Sequence, residues 1–113
     1  MHLHEVIRGQ VAILELRGDL WDENDLLDVQ QKVKSLMVDG IKKVIFDLSS
    51  LHYINSMGLE TLLNVLHRMR EAGGDIRFAR IDRQLDNVFV QRRLVRDFVT
   101  YETVGRALAS FMI

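Results

Sequence analysis

The hydrophobic period changes several times along this chain, and each change marks an element. Leu3, Glu5 and Ile7 alternate with His2, His4 and Val6, the pattern of a half-exposed strand, and Arg8-Gly9-Gln10 supplies a turn into a second strand. Val11-Ala12-Ile13-Leu14-Glu15-Leu16 is nearly continuous in apolar character, as a strand covered on both faces requires, and Gly18-Asp19 is expected to close it. Leu26, Val29, Val33 and Leu36 then recur at spacings of three and four, predicting a helix with acids at its start (Asp22, Glu23, Asp25) and an end at Asp39-Gly40. Val44-Ile45-Phe46 and Ile76-Arg77-Phe78-Ala79 are short β-rich runs. Between them lies a helix with Leu59, Leu62, Leu63, Leu66 and Met69 on one stripe, stopped by Gly73-Gly74. Leu85, Val88 and Phe89 predict a third helix, Phe98-Val99-Thr100-Tyr101 a last strand, and Val104, Ala107, Leu108 and Phe111 a terminal helix.

The predicted order is ββαβαβαβα. Strands alternating with helices pair in parallel through right-handed crossovers, so the expected class is α/β, with a mixed, mostly parallel sheet whose antiparallel part is the N-terminal β-hairpin. A length of 113 residues suits one domain, 1–113, and no linker, repeat or low-complexity stretch divides it. In such a sheet the loops that follow the parallel strands open on one edge. Residues 19–25 and 55–59 are therefore expected to be neighbours.

Composition excludes more than it selects. Hydrophobic residues at 48% and charged residues at 27% are ordinary globular values, and a formal charge of −1 gives no steering toward nucleic acid or membrane. The charge is unevenly spread: residues 1–56 carry 6 basic and 9 acidic side chains, and residues 57–113 carry 9 and 7. Without cysteine there is no disulfide, thiol nucleophile or thiolate metal site. The opening residues lack the basic and apolar regions of a signal peptide, and no apolar run approaches the roughly 20 residues that span a bilayer. A cytoplasmic location without direct membrane insertion is the expectation.

Residues 44–59 carry the most functional information. They read as a buried strand, a short polar turn and a helix start, a junction that aims free backbone N–H groups and the positive end of the helix dipole at whatever occupies the turn. Enzyme signatures are missing: there is no Gly-rich phosphate loop, no serine–histidine elbow and no metal-ligand set, so neither catalysis nor a cofactor is expected. Asp47 could serve as the strand-end aspartate of a receiver domain, but the acidic pair and the later lysine of such a site are absent. The acids at 19, 22, 23, 25 and 28 lack the glycine and final glutamate of an EF-hand loop and read as acids complementing a helix dipole. His2 and His4 share a strand face without a third ligand, and His52 and His67 stand alone. Arg68, Arg70, Arg77, Arg80, Arg83, Arg92, Arg93 and Arg96 are interleaved with acids and read mostly as a solvated face.

Gly18-Asp19-Leu20, the run from Val44 to Ser49, Ile54-Asn55-Ser56-Met57-Gly58-Leu59, Gly73-Gly74 and the stretch from Leu94 to Phe111 together resemble a STAS domain, the fold of anti-sigma factor antagonists. The similarity covers almost the whole chain. Members of that family usually read Asp-Ser-Ser-Gly-Leu at the segment occupied here by Asn55-Ser56-Met57-Gly58-Leu59, and the second serine is phosphorylated by a partner kinase. Met57 stands at that acceptor position and has no hydroxyl. The resemblance implies a regulatory protein-binding domain that captures an anti-sigma factor of histidine-kinase-like ATPase fold and releases a sigma factor, without a phosphate switch at the usual position. An alternative it also implies is a non-switching STAS scaffold, or a subunit of a signalling assembly or of a lipid-transport ABC complex. The implied partner-binding residues are Trp21, Asp22, Asn55, Ser56, Met57, Gly58 and Glu60. The exposed first strand could also pair with a second copy, giving a homodimer.

Several of these residues have two readings. Ser56 is either the helix N-cap, the favoured reading, or a phosphoacceptor displaced by one position; Asn55 caps equally well and would leave Ser56 freer. Met57 is expected to face solvent as an adaptable contact rather than fold onto the core. Trp21 is either an exposed anchor for a partner or a lid over the sheet edge. Gly58 reads as room for close backbone approach.

Overall fold

The structure, a computed structural model, describes residues 1–82 and 98–112. β1 (His2–Arg8) and β2 (Val11–Leu20) form the antiparallel hairpin, turning at Gly9, whose φ of 61° suits glycine. They are followed by α1 (Glu23–Val38), β3 (Lys43–Asp47), β4 (Leu51–Ile54), α2 (Ser56–Glu71), β5 (Asp75–Ala79), β6 (Thr100–Tyr101) and α3 (Val104–Ser110). Among the described residues the sheet runs β1-β2-β3-β5-β6, with β4 paired to β2, and every pairing outside the hairpin is parallel. This is the mixed, mostly parallel α/β sheet the periodicity predicts. The helix expected around Leu85, Val88 and Phe89 lies outside the described residues.

The continuous apolar run of β2 is explained by cover on both faces. Ala12, Leu14 and Leu16 join the larger core beneath α1 and α2, together with Phe46 and Phe78, while Val11 and Ile13 join a smaller core with Ile45, Ala79 and Ala107 of α3. The aromatic pair Phe46–Phe78 stacks at 5.7 Å between centroids, and Phe98 meets Phe78 edge-on at 4.6 Å. α3 is short, so its cover ends early and polar Glu15 and Arg17 take the following positions on that face.

Two expectations are corrected. The residues after Ser50 are not merely a turn: Leu51–Ile54 form β4. β2 likewise does not close at Gly18-Asp19 but continues to Leu20, because Gly18 (φ 105°) bends the strand toward β4, donating its N–H to the Ser50 carbonyl at 3.0 Å. The register shifts there: Gly18 opposes Leu51 and Asp19 opposes Tyr53, leaving His52 as an extra residue. That bulge places both His52 and Tyr53 outward.

Candidate functional site

β2 and β4 end side by side, with Leu20 opposite Ile54, and α1 and α2 start within three residues of those ends. Residues 19–25 and 55–59 are thus neighbours, as the topology predicts. Asn55 joins them. Its backbone is extended (φ −100°, ψ −177°), its Oδ1 accepts the Gly58 N–H at 2.8 Å, and its Nδ2 donates to the Trp21 carbonyl at 3.2 Å. Asn55 is therefore the N-cap of α2, and the capping role favoured for Ser56 is corrected: Ser56 is the first helical residue. Asparagine wins because its longer side chain reaches both the helix turn and the neighbouring loop, which a serine hydroxyl in that position does not.

Gly58 is buried beneath this junction. A Cβ there would lie 2.6 Å from the Leu20 carbonyl oxygen and 2.7 Å from Ile54 Cγ1, so the helix start presses directly on the ends of β2 and β4. Above it, three large side chains face solvent: Trp21 is 53% exposed, Tyr53 54% and Met57 55%. Met57 is outward, as expected, and Trp21 is more than half exposed. Asp19, Asp22, Glu23 and Glu60 are exposed around them, while Asn55 and Ser56 are half-buried. Asp22 caps α1, its Oδ1 accepting from the Asp25 N–H at 2.9 Å, and the buried Asp25 carboxylate binds the Met1 amino group at 3.1 Å. Asp22 and Asp25 are thus engaged by a helix N–H and by an amino group rather than arranged as a cation loop.

Next to the junction, the ends of β3 and β5 are tied by an ion pair. The Arg80 guanidinium donates to Asp47 Oδ1 at 3.2 Å, to Oδ2 at 2.9 Å and to the Ser49 hydroxyl at 2.8 Å. Burial is the largest single influence on Asp47 and pushes its carboxyl up. The bonds from Arg80 and Ser49 and the Arg80 charge together outweigh it and hold the group below the usual aspartate value. Arg80 is raised in turn, chiefly by its bond to Asp47. Both Asp47 oxygens are thus engaged in cross-strand support.

Arg80 and Arg77 depart from the solvated-face reading. Arg77 binds Asp75 at 3.4 Å and lies 4.0 Å over the Phe111 ring, pinning α3 to the sheet. Arg83, Arg92, Arg93 and Arg96 lie outside the described residues. Tyr53 and the Asp47–Arg80 pair were not singled out from sequence. Tyr53 had a faint signal in the β-favouring Tyr-Ile pair ahead of the helix; a pair separated by 33 residues had none.

A cleft of about 740 Å³ opens at the other end of the sheet, lined by Gly40, Lys42, Gly73 and Asp75 among others. The C-termini of α1 and α2 end beside it, and it carries the paired Asp75 and Arg77 together with Lys42 and Lys43. No described helix is long and apolar enough to cross a membrane.

Solved structures share this architecture. A proposed anti-sigma factor antagonist of Thermotoga maritima superposes with a TM-score of 0.87 at 23% identity, over 96% of this chain and 92% of that one. An anti-sigma factor antagonist from Mycobacterium paratuberculosis gives 0.83 at 17%, over 96% and 92%. The Bacillus cell fate determinant SpoIIAA in its phosphorylated form gives 0.74 at 14%, over 97% and 99%. At these identities the likeness is one of fold. No curated protein matches the chain. The sequence itself matches the STAS domain model over residues 4–107, from β1 into the terminal helix, and the chain belongs to the STAS domain family.

Proposed function

We propose that the edge formed by Trp21, Asp22, Tyr53, Asn55, Ser56, Met57 and Glu60, packed over Gly58, is a docking surface for a regulatory protein, an anti-sigma factor of kinase-like ATPase fold. The observation that carries this reading is the exposure of Trp21, Tyr53 and Met57, on a loop, a strand and a helix, at the edge where α/β sheets place their sites. Isolated apolar residues on a surface need no explanation, but an aromatic pair and a methionine over a capped helix start have the composition of an interface centre. The exposed acids around them call for a partner with an apolar seat and a basic rim.

Met57 offers no oxygen for a phosphoryl group, so binding through this surface is not switched at that position. The family fold supports a protein-binding regulatory role, and the acceptor's absence favours a constitutive binder.

The test is capture from lysate of the native cell with the wild-type chain and with Trp21→Ala. Recovery of a kinase-fold regulator by the wild type, lost in a variant that still folds, is the expected result. Recovery of no such protein by a folded wild-type chain would overturn the reading, and co-purification with a membrane ATPase or large sensor assembly would assign the scaffold role instead.

A further inference from the structure

We infer that Asn55 is a positioning residue for this surface: its amide clasps the loop carrying Trp21 to the helix start carrying Met57, so the two exposed side chains are held in register. Three observations support the clasp. Oδ1 takes the Gly58 N–H at 2.8 Å and Nδ2 gives to the Trp21 carbonyl at 3.2 Å, so one planar group bridges two elements. The orientation of that amide is settled by its neighbours, since the flipped form would set NH₂ against N–H and oxygen against carbonyl. Tyr53 and Met57 each lie two positions from Asn55 in the chain, and the main-chain carbonyl of Trp21 is bonded to its amide, so Asn55 sits where the backbones carrying all three exposed side chains meet.

The choice of asparagine over aspartate follows from the same geometry. A carboxylate would keep the cap, and the positive end of the α2 dipole would favour it. It could not donate to the Trp21 carbonyl, and its second oxygen would repel that carbonyl. Asparagine gives up the charge at the cap and gains the loop. Trp21 is more than half exposed and belongs to neither core cluster.

The consequence for partner binding rests on the docking reading above; the clasp itself does not. Trp21 is the one tryptophan in the chain, so its fluorescence reports on this loop alone. Asn55→Asp keeps the cap and removes the donor, and losing a hydrogen bond of ordinary net strength should raise the open population of the loop about two- to tenfold. Acrylamide quenching of Trp21 is expected to rise and its anisotropy to fall, with the melting temperature held; Asn55→Ala adds a loss of melting temperature. Quenching and anisotropy unchanged in Asn55→Asp would overturn the inference. A second measurement uses the unaltered protein: the Asn55 side-chain amide protons should exchange with solvent more slowly than those of exposed Asn64, and equal rates would also overturn it. Failure of the wild-type chain to capture a kinase-fold partner, together with the fluorescence change in Asn55→Asp, leaves the clasp standing and removes the docking reading alone.

Discussion

At position 58 the backbone of α2 touches the ends of two strands, and the neighbour a side chain would strike first is a main-chain carbonyl, that of Leu20. A carbonyl already held in the sheet cannot swing aside as a side chain can. Gly58→Ala is therefore expected to destabilise the fold by about 1–3 kcal/mol, read as a lowered urea midpoint with an unchanged slope. Arg80 poses the opposite case. It is a non-glycine residue in the left-handed region (φ 59°), kept there by its bonds to Asp47 and Ser49 and by its N–H to the Tyr101 carbonyl at 3.0 Å. Arg80→Ala loses the ion pair and keeps the backbone cost, whereas Arg80→Gly loses the pair and relieves it. The glycine variant should be the more stable of the two by roughly 1 kcal/mol in chemical denaturation. The pair also sets a pH dependence. Because the folded Asp47 carboxyl titrates below its unfolded value of 3.8, its contribution is present above that value and disappears as pH falls through the folded one. Arg80 is half exposed, so the contribution is about 1–2 kcal/mol. The stability gap between wild type and Asp47→Asn should be full at pH 6–7 and close as the solution is acidified below the ordinary aspartate range, measured by denaturation at a series of pH values.

For the elements, the N-terminus of α2 gives the clearest contrast. Asn55 supplies the cap and Ser56 lies inside the first turn, so Asn55→Ala should cost about 1 kcal/mol while Ser56→Ala stays within a few tenths, both by urea titration. Equal losses would return the cap to Ser56. The helices themselves were legible because their stripes are long: Val29, Val33 and Leu36, and Leu59, Leu62, Leu66 and Met69, repeat often enough for the 3.6-residue period to emerge and are all buried. β4 was not legible for the converse reason. It has four residues, follows two serines, and its bulge at His52 breaks the alternation by setting His52 and Tyr53 outward together. The same bulge hid Tyr53 from the candidate site. β2 was read as too short because glycine ahead of aspartate is ordinarily a stop, whereas here the glycine serves a bend within a strand that continues to pair. Local pattern finds elements that bury a regular face; it misses those whose form depends on a partner strand distant in sequence.

In the whole molecule, the two ends of the sheet differ in charge. Among the described residues, Asp19, Asp22, Glu23 and Glu60 are exposed at the edge where the helices start, while Lys42 and Lys43 lie beside Asp39 and Asp75 at the opposite end, where α1 and α2 finish. The neighbourhood of residues 19–25 and 55–59 was readable from topology, and the acids from the sequence, but the outward exposure of Tyr53 on β4 required the fold. A net charge of −1 conceals this polarity entirely. The negative edge presents itself to a basic partner as an attractive patch, which favours encounters in the proposed docking orientation. Such steering acts mainly on the association rate and is screened within about 8 Å at physiological salt. Neutralising Glu23 and Glu60 to glutamine, two exposed acids that neither cap a helix nor line the core, should therefore slow association with the proposed kinase-fold partner while leaving dissociation nearly unchanged. Removing Trp21 should do the reverse, since a buried aromatic anchor is lost after docking rather than during approach. Measured by surface-immobilised binding over a salt series, the glutamine variant should converge on the wild-type association rate as ionic strength rises, and the Trp21→Ala variant should dissociate at least tenfold faster at every salt concentration. An association rate indifferent to both charge and salt would assign docking to a different face of the domain.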